Sequence, residues 1–179
     1  MNSVSKYHHI EVVRNDVLAK ASVKNIYELA QPVAIVLNSS SKQSILQKKS
    51  QVFTKILMEL LTSNKPGYTK LKKSIANFKV RQGSSIGNKI TLRKKLLYQF
   101  LDKLHIQILA STRDFMTVKR KSNTPINLGI PDSYVVSDIE FERFTVKSSP
   151  KLRGFSISIV PSVSGGKSVD LILSSFRIP

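Results

Sequence analysis

The chain contains 179 residues, of which 41% are hydrophobic, and it carries a formal net charge of +18 at pH 7. This apolar fraction is enough to bury a core, so a globally disordered chain is excluded, and the absence of cysteine excludes disulfides, thiolate metal sites and cysteine nucleophiles. A cationic surplus of this size opposes folding through self-repulsion unless a polyanion neutralises it, so nucleic acid is the leading candidate partner.

Hydrophobic periodicity predicts helices and strands along the chain. The predicted helices span approximately residues 8–21, 44–65, 94–110 and 167–175. The predicted strands span approximately residues 32–37, 68–75, 89–93, 134–144 and 155–160, and a turn at Asn38 is expected to end the first. This order predicts a single α+β domain over residues 1–179, with a largely antiparallel sheet packed against helices. No apolar run approaches the roughly 18 residues that cross a bilayer, so we expect a soluble protein without membrane contact.

The centre of the chain carries charge of one sign. Between Glu59 and Asp102 there are ten Lys or Arg residues and no carboxylate. Residues 79–89 of this segment are expected to form a long basic loop between two strands. Gly83 and Gly87 lack a Cβ, which permits positive φ and the close approach of a ligand backbone; the alternative is that they form a flexible turn. The loop lacks the Gly-Lys-Ser/Thr ending of a nucleotide-binding signature.

Two residues near this segment have two interpretations each. Phe78 lies among Lys73, Lys79 and Arg81, where its ring either stacks on an unpaired base or belongs to the core. Asn38 follows a predicted strand and precedes small Ser residues, so it either makes a turn or contacts RNA.

No catalytic constellation is evident. His8 and His9 are adjacent near the N-terminus, and His105 lies within a predicted helix. The sequence does not place an acidic or nucleophilic residue beside any of them in a catalytic pattern. An acidic group either binds a divalent cation or forms the solvated face of a strand, and we favour the second interpretation. Its members are Asp132, Asp138, Glu140 and Glu142. We therefore predict no enzyme, no metal site and no cofactor.

Five sequence landmarks, in order and at matching spacing, resemble the L-five (uL-five) family of large-subunit ribosomal proteins. They are KKSIANFKVRQG at 72–83, IGNKITLR at 86–93, FLDKL at 100–104, RDF at 113–115 and LRGFSISI at 152–159. The resemblance runs from about Tyr7 to the C-terminus and is densest between Asn64 and Phe115. It implies that the N-terminal half binds 5S rRNA in the central protuberance and that the long loop contacts P-site tRNA. It also implies contacts with large-subunit rRNA, with neighbouring ribosomal proteins and with the small-subunit head.

The resemblance also implies site residues. The candidates for 5S rRNA binding are Asn38, Asn64, Lys73, Phe78, Thr91 and Arg93. The loop from Lys79 to Lys89 is similar to the tRNA-facing element, and its candidates are Lys79, Arg81, Gln82, Gly83, Ser84, Ser85, Gly87 and Lys89. The C-terminal half is expected to contain strands and a short helix.

The chain departs from the family pattern at three places. A segment of serines, Asn38–Lys42, replaces a glycine-containing one, and Lys94 stands where the family favours glycine after Thr-Leu-Arg. Lys121–Gly129 replaces a glycine-rich loop, to which the resemblance assigns contacts with the small subunit or rRNA.

The composition is biased toward lysine, which outnumbers arginine 21 to 8, as in products of an AT-rich genome. We therefore expect a mitochondrial ribosome in the matrix, with a plastid or the bacterial cytoplasm as alternatives. The alternative functions are a soluble RNA chaperone or translation factor that binds RNA transiently, and a small hydrolase.

Overall fold

A computed structural model describes residues 3–20, 25–40, 48–78, 80–110, 116–117, 126–131 and 154–162. The α-helices are α1 (Val4–His8), α2 (Arg14–Lys20), α3 (Lys48–Thr62) and α4 (Lys94–Lys103). The π-helices are His9–Val13 and Leu104–Leu109, and the 3-10 helices are Ile26–Glu28 and Ala76–Phe78. The strands are β1 (Pro32–Ser40), β2 (Gly67–Lys70), β3 (Ser85–Arg93), β4 (Met116–Thr117), β5 (Ile126–Ile130) and β6 (Phe155–Pro161). None of the helices among these described residues is long and apolar enough to span a membrane.

The six strands form one sheet in the order β2-β3-β1-β6-β5-β4. Strands β2 and β3 pair antiparallel. Strand β6 also runs antiparallel to β1, because Ser162 N donates to the Gln31 carbonyl (2.8 Å) while Ser156 Oγ donates to the Asn38 carbonyl (3.2 Å). The predicted α+β fold with a largely antiparallel sheet is confirmed.

Three predicted strand boundaries were wrong. Strand β1 continues to Ser40, so Asn38 lies within a strand and makes no turn. Strand β2 ends at Lys70, and β3 begins at Ser85. The predicted basic loop at 79–89 is therefore not confirmed, because residues 85–89 are strand. The connection between β2 and β3 comprises residues 71–84.

Several predictions lie outside the described residues. They are the strand at 134–144, the helix at 167–175, the acidic group from Asp132 to Glu142, and the placement of Lys79. Of the segment Lys121–Gly129, the structure describes residues 126–129, which belong to β5.

The chain divides into two compact units, and the prediction of a single domain remains a prediction. One unit comprises residues 1–35, 92–128 and 158–179, and the other comprises residues 36–91 and 129–157. Buried side chains of the first unit include Val13, Val17, Ile35, Leu97, Phe100, Leu104 and Ile108. Buried side chains of the second unit include Leu37, Leu57, Leu61, Ile90 and Ile157.

In the first unit, the N-terminal helical segment packs against α4. The backbone N–H and the hydroxyl of Ser5 both donate to Asp102 Oδ1, at 2.8 and 2.5 Å. A carboxylate of α4 thus satisfies an N–H group in the first turn of α1, where the helix has no acceptor of its own. The helical segment consequently begins at Val4, four residues before the predicted start.

In the second unit, α3 ends at Thr62, three residues before the predicted end at about residue 65. Ser63 follows the helix with φ +54° and its N–H donates to the Glu59 carbonyl (2.7 Å), which is the left-handed conformation that commonly terminates helices. Pro66 then prevents further helix. The chain turns directly into β2, and this short connection places β2 and β3 beside the helix.

Candidate nucleic-acid interface

Nine of the ten central cations are described, and all nine are exposed. They are Lys65, Lys70, Lys72, Lys73, Arg81, Lys89, Arg93, Lys94 and Lys95. Within the described part of the chain, none of them forms an ion pair with a carboxylate; the ion pair found there joins Lys20 to Asp16. Their charge is therefore available to an external anion. Six of the nine lie on β2, β3 and their connection, and this distribution along the chain favours an extended polyanion.

Gly87 shows which residues share one face of the sheet in the second unit. A Cβ built on Gly87 would lie 2.6 Å from the Ser39 carbonyl oxygen, 3.0 Å from Ser40 Cβ and 3.0 Å from Thr69 Oγ1. The side chains of Ser40 and Thr69 therefore point to the same side as this position. We call this side the outer face. Gly87 is a glycine because neighbouring strands occupy the space of a side chain.

Alternation along the strands extends the outer face. Side chains two residues apart in a strand point to the same side. From Gly87 this rule reaches Lys89 and Thr91, which are exposed, and from Ser40 it reaches Asn38, which is also exposed. The outer face thus brings together Asn38 and Thr91, two of the predicted 5S rRNA residues, and adds Lys89 to them.

Arg93 continues the exposed series of β3. Its side chain follows Lys89 and Thr91 at the same two-residue interval, whereas Asn88, Ile90 and Leu92 are buried. Lys89 was predicted to face tRNA from a loop; it instead belongs to the same exposed row as two residues predicted to bind 5S rRNA. Ser85 and Gly87, predicted for the same loop, are likewise residues of β3.

The connection 71–84 is a folded excursion, which we call the basic hairpin. Leu71 N donates to the Ser84 carbonyl (2.9 Å) and Gly83 N donates to the Leu71 carbonyl (3.0 Å) at its base. Farther out, Ile75 and Val80 form an antiparallel bridge. Gly83 has φ +82°, a conformation that favours glycine, and a Cβ there would meet no atom within 4 Å.

The remaining described residues of the prediction, apart from Asn64, lie on the basic hairpin. Phe78 ends the 3-10 turn at its outer end and is 59% exposed, so the interpretation of Phe78 as core was wrong. Lys73 is exposed on the same arm, and Arg81 and Gln82 are exposed on the returning arm. Asn64 is half-buried after α3, where its Oδ1 accepts from Lys65 N (2.9 Å).

Two buried amides that the sequence analysis missed hold β3 in place. Gln51 of α3 and Asn88 of β3 are 4% and 1% exposed. Asn88 Nδ2 donates to the Gln51 carbonyl (3.2 Å), and Ser85 Oγ donates to Gln51 Oε1 (2.7 Å). The available signal was polarity at positions that the helical and strand periods assign to the apolar side, which indicates a buried hydrogen-bonded network.

Among the described residues, the titratable residue with the largest pKa shift is His9, which belongs to the first unit. His9 is buried in the first unit, with its ring centroid 6.0 Å from that of Tyr98. Burial, with smaller contributions from the charges of Arg14 and His8, lowers the pKa of His9 from 6.5 to about 4. A neutral imidazole inside a helical pair supports packing and supplies no charge to the cationic surface.

Comparison with known proteins yields two similarities. The model of the C-terminus of the ribosomal L5 family matches residues 85–179, from the first residue of β3 onward. The large ribosomal subunit protein uL5m of Reclinomonas americana is 34% identical over 184 residues, which cover 100% of this chain and 98% of that relative. The second similarity therefore includes the helical N-terminus, the basic hairpin and the outer face.

Proposed function

Because this chain belongs to the L5 family of large-subunit ribosomal proteins, we propose that it binds 5S rRNA through the outer face, β3 and the first arm of the basic hairpin, and P-site tRNA through the returning arm of that hairpin. Its family also confirms the prediction that it is a structural protein and not an enzyme. Partners of a large-subunit protein include rRNA and other ribosomal proteins. The finer assignments to 5S rRNA, to P-site tRNA and to the small-subunit head are part of the proposal.

The observation that carries the 5S rRNA assignment is the exposed row on β3. Lys89 and Arg93 supply cations that bind phosphate, and Thr91 supplies a hydroxyl between them. Asn38, on the same outer face, offers an amide that can both donate and accept a hydrogen bond. A rigid sheet holds these groups at fixed spacing, which suits recognition of a folded RNA by its shape.

The basic hairpin extends six to eight residues beyond the end of β2 in the chain, and its returning arm supports a second contact. Arg81 and Gln82 are exposed on its returning arm, where Gln82 N donates to Ser74 Oγ (2.8 Å) across the two arms. We assign these two side chains to tRNA and keep Lys73 and Phe78, on the other arm, with 5S rRNA.

We further propose that the protein functions in the central protuberance of a mitochondrial ribosome. The relative from Reclinomonas americana is a uL5m protein, and the excess of lysine over arginine is consistent with an organellar genome. Density-gradient fractionation of mitochondria, with detection of the protein in the large-subunit peak after a high-salt wash, tests this location. Recovery in a ribosome-free fraction would contradict it.

Binding of the full-length chain to a 5S rRNA transcript tests the RNA assignment. The Thr91→Ala/Arg93→Ala double variant should bind about tenfold more weakly, which corresponds to about 1.4 kcal/mol. Lys20→Ala is the control, since Lys20 is paired with Asp16 on α2 and should leave affinity unchanged. Equal affinity of wild type for 5S rRNA and for an unrelated structured RNA of the same length would contradict the proposal.

A further inference from the structure

The pairing of β2 with β3 contains a bulge beside the candidate interface. Thr69 is opposite Gly87, but the next residue of β2, Lys70, is opposite Ser85, so Ile86 is an extra residue in β3. A β-bulge bends its strand and increases the local twist. Only Ser85 separates Ile86 from the basic hairpin in the chain. The bulge therefore sets the direction in which the hairpin leaves the sheet.

Gln51 contacts β3 on both sides of the bulged Ile86. Its Oε1 accepts from Ser85 Oγ (2.7 Å), which precedes Ile86, and its Nε2 makes a long hydrogen bond to the Gly87 carbonyl (3.5 Å), which follows it. The backbone carbonyl of Gln51 accepts from Asn88 Nδ2 (3.2 Å). One buried residue of α3 thus contacts three positions of β3, and all of these residues belong to the same compact unit.

An apolar side chain would fill this space without the need for hydrogen-bond partners. Buried polar groups require partners in specific positions, and they therefore disfavour other strand registers that an apolar contact tolerates. A shift of β3 by one residue would turn Lys89, Thr91 and Arg93 inward. The network around Gln51 opposes that shift.

We propose that Gln51 is a positioning residue for RNA recognition: by holding Ser85 and Gly87 on either side of Ile86, it fixes the bulge and hence the angle between the basic hairpin and the outer face. This inference rests on the proposed RNA-binding function, since the angle matters only if both surfaces meet RNA. Gln51 itself is buried and does not touch the ligand.

The test measures the hairpin angle and RNA binding separately. The chain contains no cysteine, so Glu59→Cys on α3 and Asn77→Cys on the hairpin turn place two spin labels at chosen exposed positions. Double electron–electron resonance without RNA gives the distance distribution between them. Gln51→Met keeps the side-chain length and removes the two side-chain hydrogen bonds to β3, while the backbone carbonyl can still accept from Asn88. Gln99→Met on α4 is the control.

The proposal predicts a broadened or shifted distance distribution in Gln51→Met, together with roughly tenfold weaker binding of the unlabelled variant to a 5S rRNA transcript. Ser85→Ala should produce part of the same broadening, and the double variant should be no worse than Gln51→Met alone. Gln99→Met should match the wild type in both measurements.

Two results would overturn the inference. One is an unchanged distance distribution in Gln51→Met, even if its Tm falls, because Gln51 then contributes only to stability. The other is a changed distribution with wild-type RNA affinity, because the angle then has no role in recognition. Failure of the wild-type chain to bind 5S rRNA would instead refute the proposed function. The label distances are measured without RNA, so they still show in that case whether Gln51 fixes the hairpin angle.

Discussion

Phe78 is exposed at the turn of the basic hairpin, so its replacement by leucine changes a surface rather than the core. Leucine keeps most of the bulk and removes the aromatic face. Since stacking of a base on an aromatic side chain contributes about 1–3 kcal/mol, Phe78→Leu should weaken 5S rRNA binding by that amount while Tm hardly changes. Filter binding and thermal unfolding measure the two quantities. A fall in Tm with unchanged affinity of the folded protein would contradict the stacking role.

Lys94 occupies a backbone conformation that suits the glycine of the family pattern. It has φ +52° at the junction of β3 and α4, and its side chain is exposed. A residue with a Cβ in this region is strained by about 1–2 kcal/mol, and glycine relieves this strain. Glycine also increases the conformational entropy of the unfolded chain, which offsets part of the stabilisation. Lys94→Gly should therefore raise the free energy of unfolding by up to about 1 kcal/mol in urea titrations.

The neighbouring residue provides the control for this substitution. Lys95 is also exposed, but it lies one position farther into α4, and φ is positive only at Ser63 and Lys94 among the described non-glycine residues. Lys95→Gly removes the same charge and should lower stability by about 1 kcal/mol, as glycine does inside a helix. If both variants are destabilised equally, the strain at Lys94 is not relieved by glycine.

Burial of neutral His9 makes folding stability depend on pH. Its folded pKa of about 4 lies below the unfolded value of 6.5, so the unfolded chain binds the extra proton first as pH falls. The contribution of neutral His9 to the free energy of unfolding is complete above pH 6.5. It is lost as the pH falls from 6.5 to about 4, for a total of roughly 3 kcal/mol. Urea unfolding of wild type and His9→Phe at pH 7 and pH 4.5 measures it. The variant should lose distinctly less stability on acidification; equal losses would show that other groups dominate.

At the scale of the elements, the two arms of the basic hairpin test the division between RNA partners. A deletion from Gln82 to Gly87 would remove the bulge and the first residues of β3, so substitutions are the better probe. Arg81→Ala/Gln82→Ala should keep 5S rRNA affinity within about threefold, well under the 1.4 kcal/mol of a tenfold change. Ribosomes containing the variant should assemble but retain P-site tRNA less firmly in a filter assay.

The opposite arm supplies the comparison for this pair. Lys73→Ala/Phe78→Leu should reduce 5S rRNA binding in the isolated protein, before any tRNA is present. If the Arg81 and Gln82 variant instead loses 5S rRNA binding while remaining folded, both arms belong to the rRNA contact and the assignment to tRNA is wrong.

The elements that the sequence predicts correctly are helices whose apolar residues recur at helical spacing within the element itself. Helices α3 and α4 were predicted because Leu57, Leu61, Leu97 and Leu101 recur at helical spacing on buried sides. The predicted start of the first helical segment and the predicted end of β1 were wrong because residues distant in the chain stabilise these ends. Asp102 satisfies the first turn of α1, and Ser39 Oγ donates to the Gly154 carbonyl (3.1 Å) within the extended end of β1.

The candidate site was predictable in its residues but not in its geometry. Charge indicated a polyanion, and family resemblance selected Asn38 and Thr91, yet neither could establish that these side chains lie on one face. That conclusion depends on the contact of Gly87 with the neighbouring strands. The same serines and glycines that lie in β1 and β3 are typical of loops, because strand formation depends on pairing partners that a local pattern does not contain.

At the scale of the whole molecule, a net charge of +18 requires that binding release counterions from RNA. If about five to seven of the ten central cations contact phosphates, the logarithm of the association constant should fall against the logarithm of salt concentration with a slope of about −4 to −6. Nine of these cations are exposed and free of ion pairs to described carboxylates, so the structure provides more than enough contacts. Removal of Lys73 or Arg93 should make the slope shallower by about one unit each. Removal of Lys20, which is already paired with Asp16, should leave the slope unchanged, whereas a flat salt dependence of the wild type would refute the polyanion argument itself.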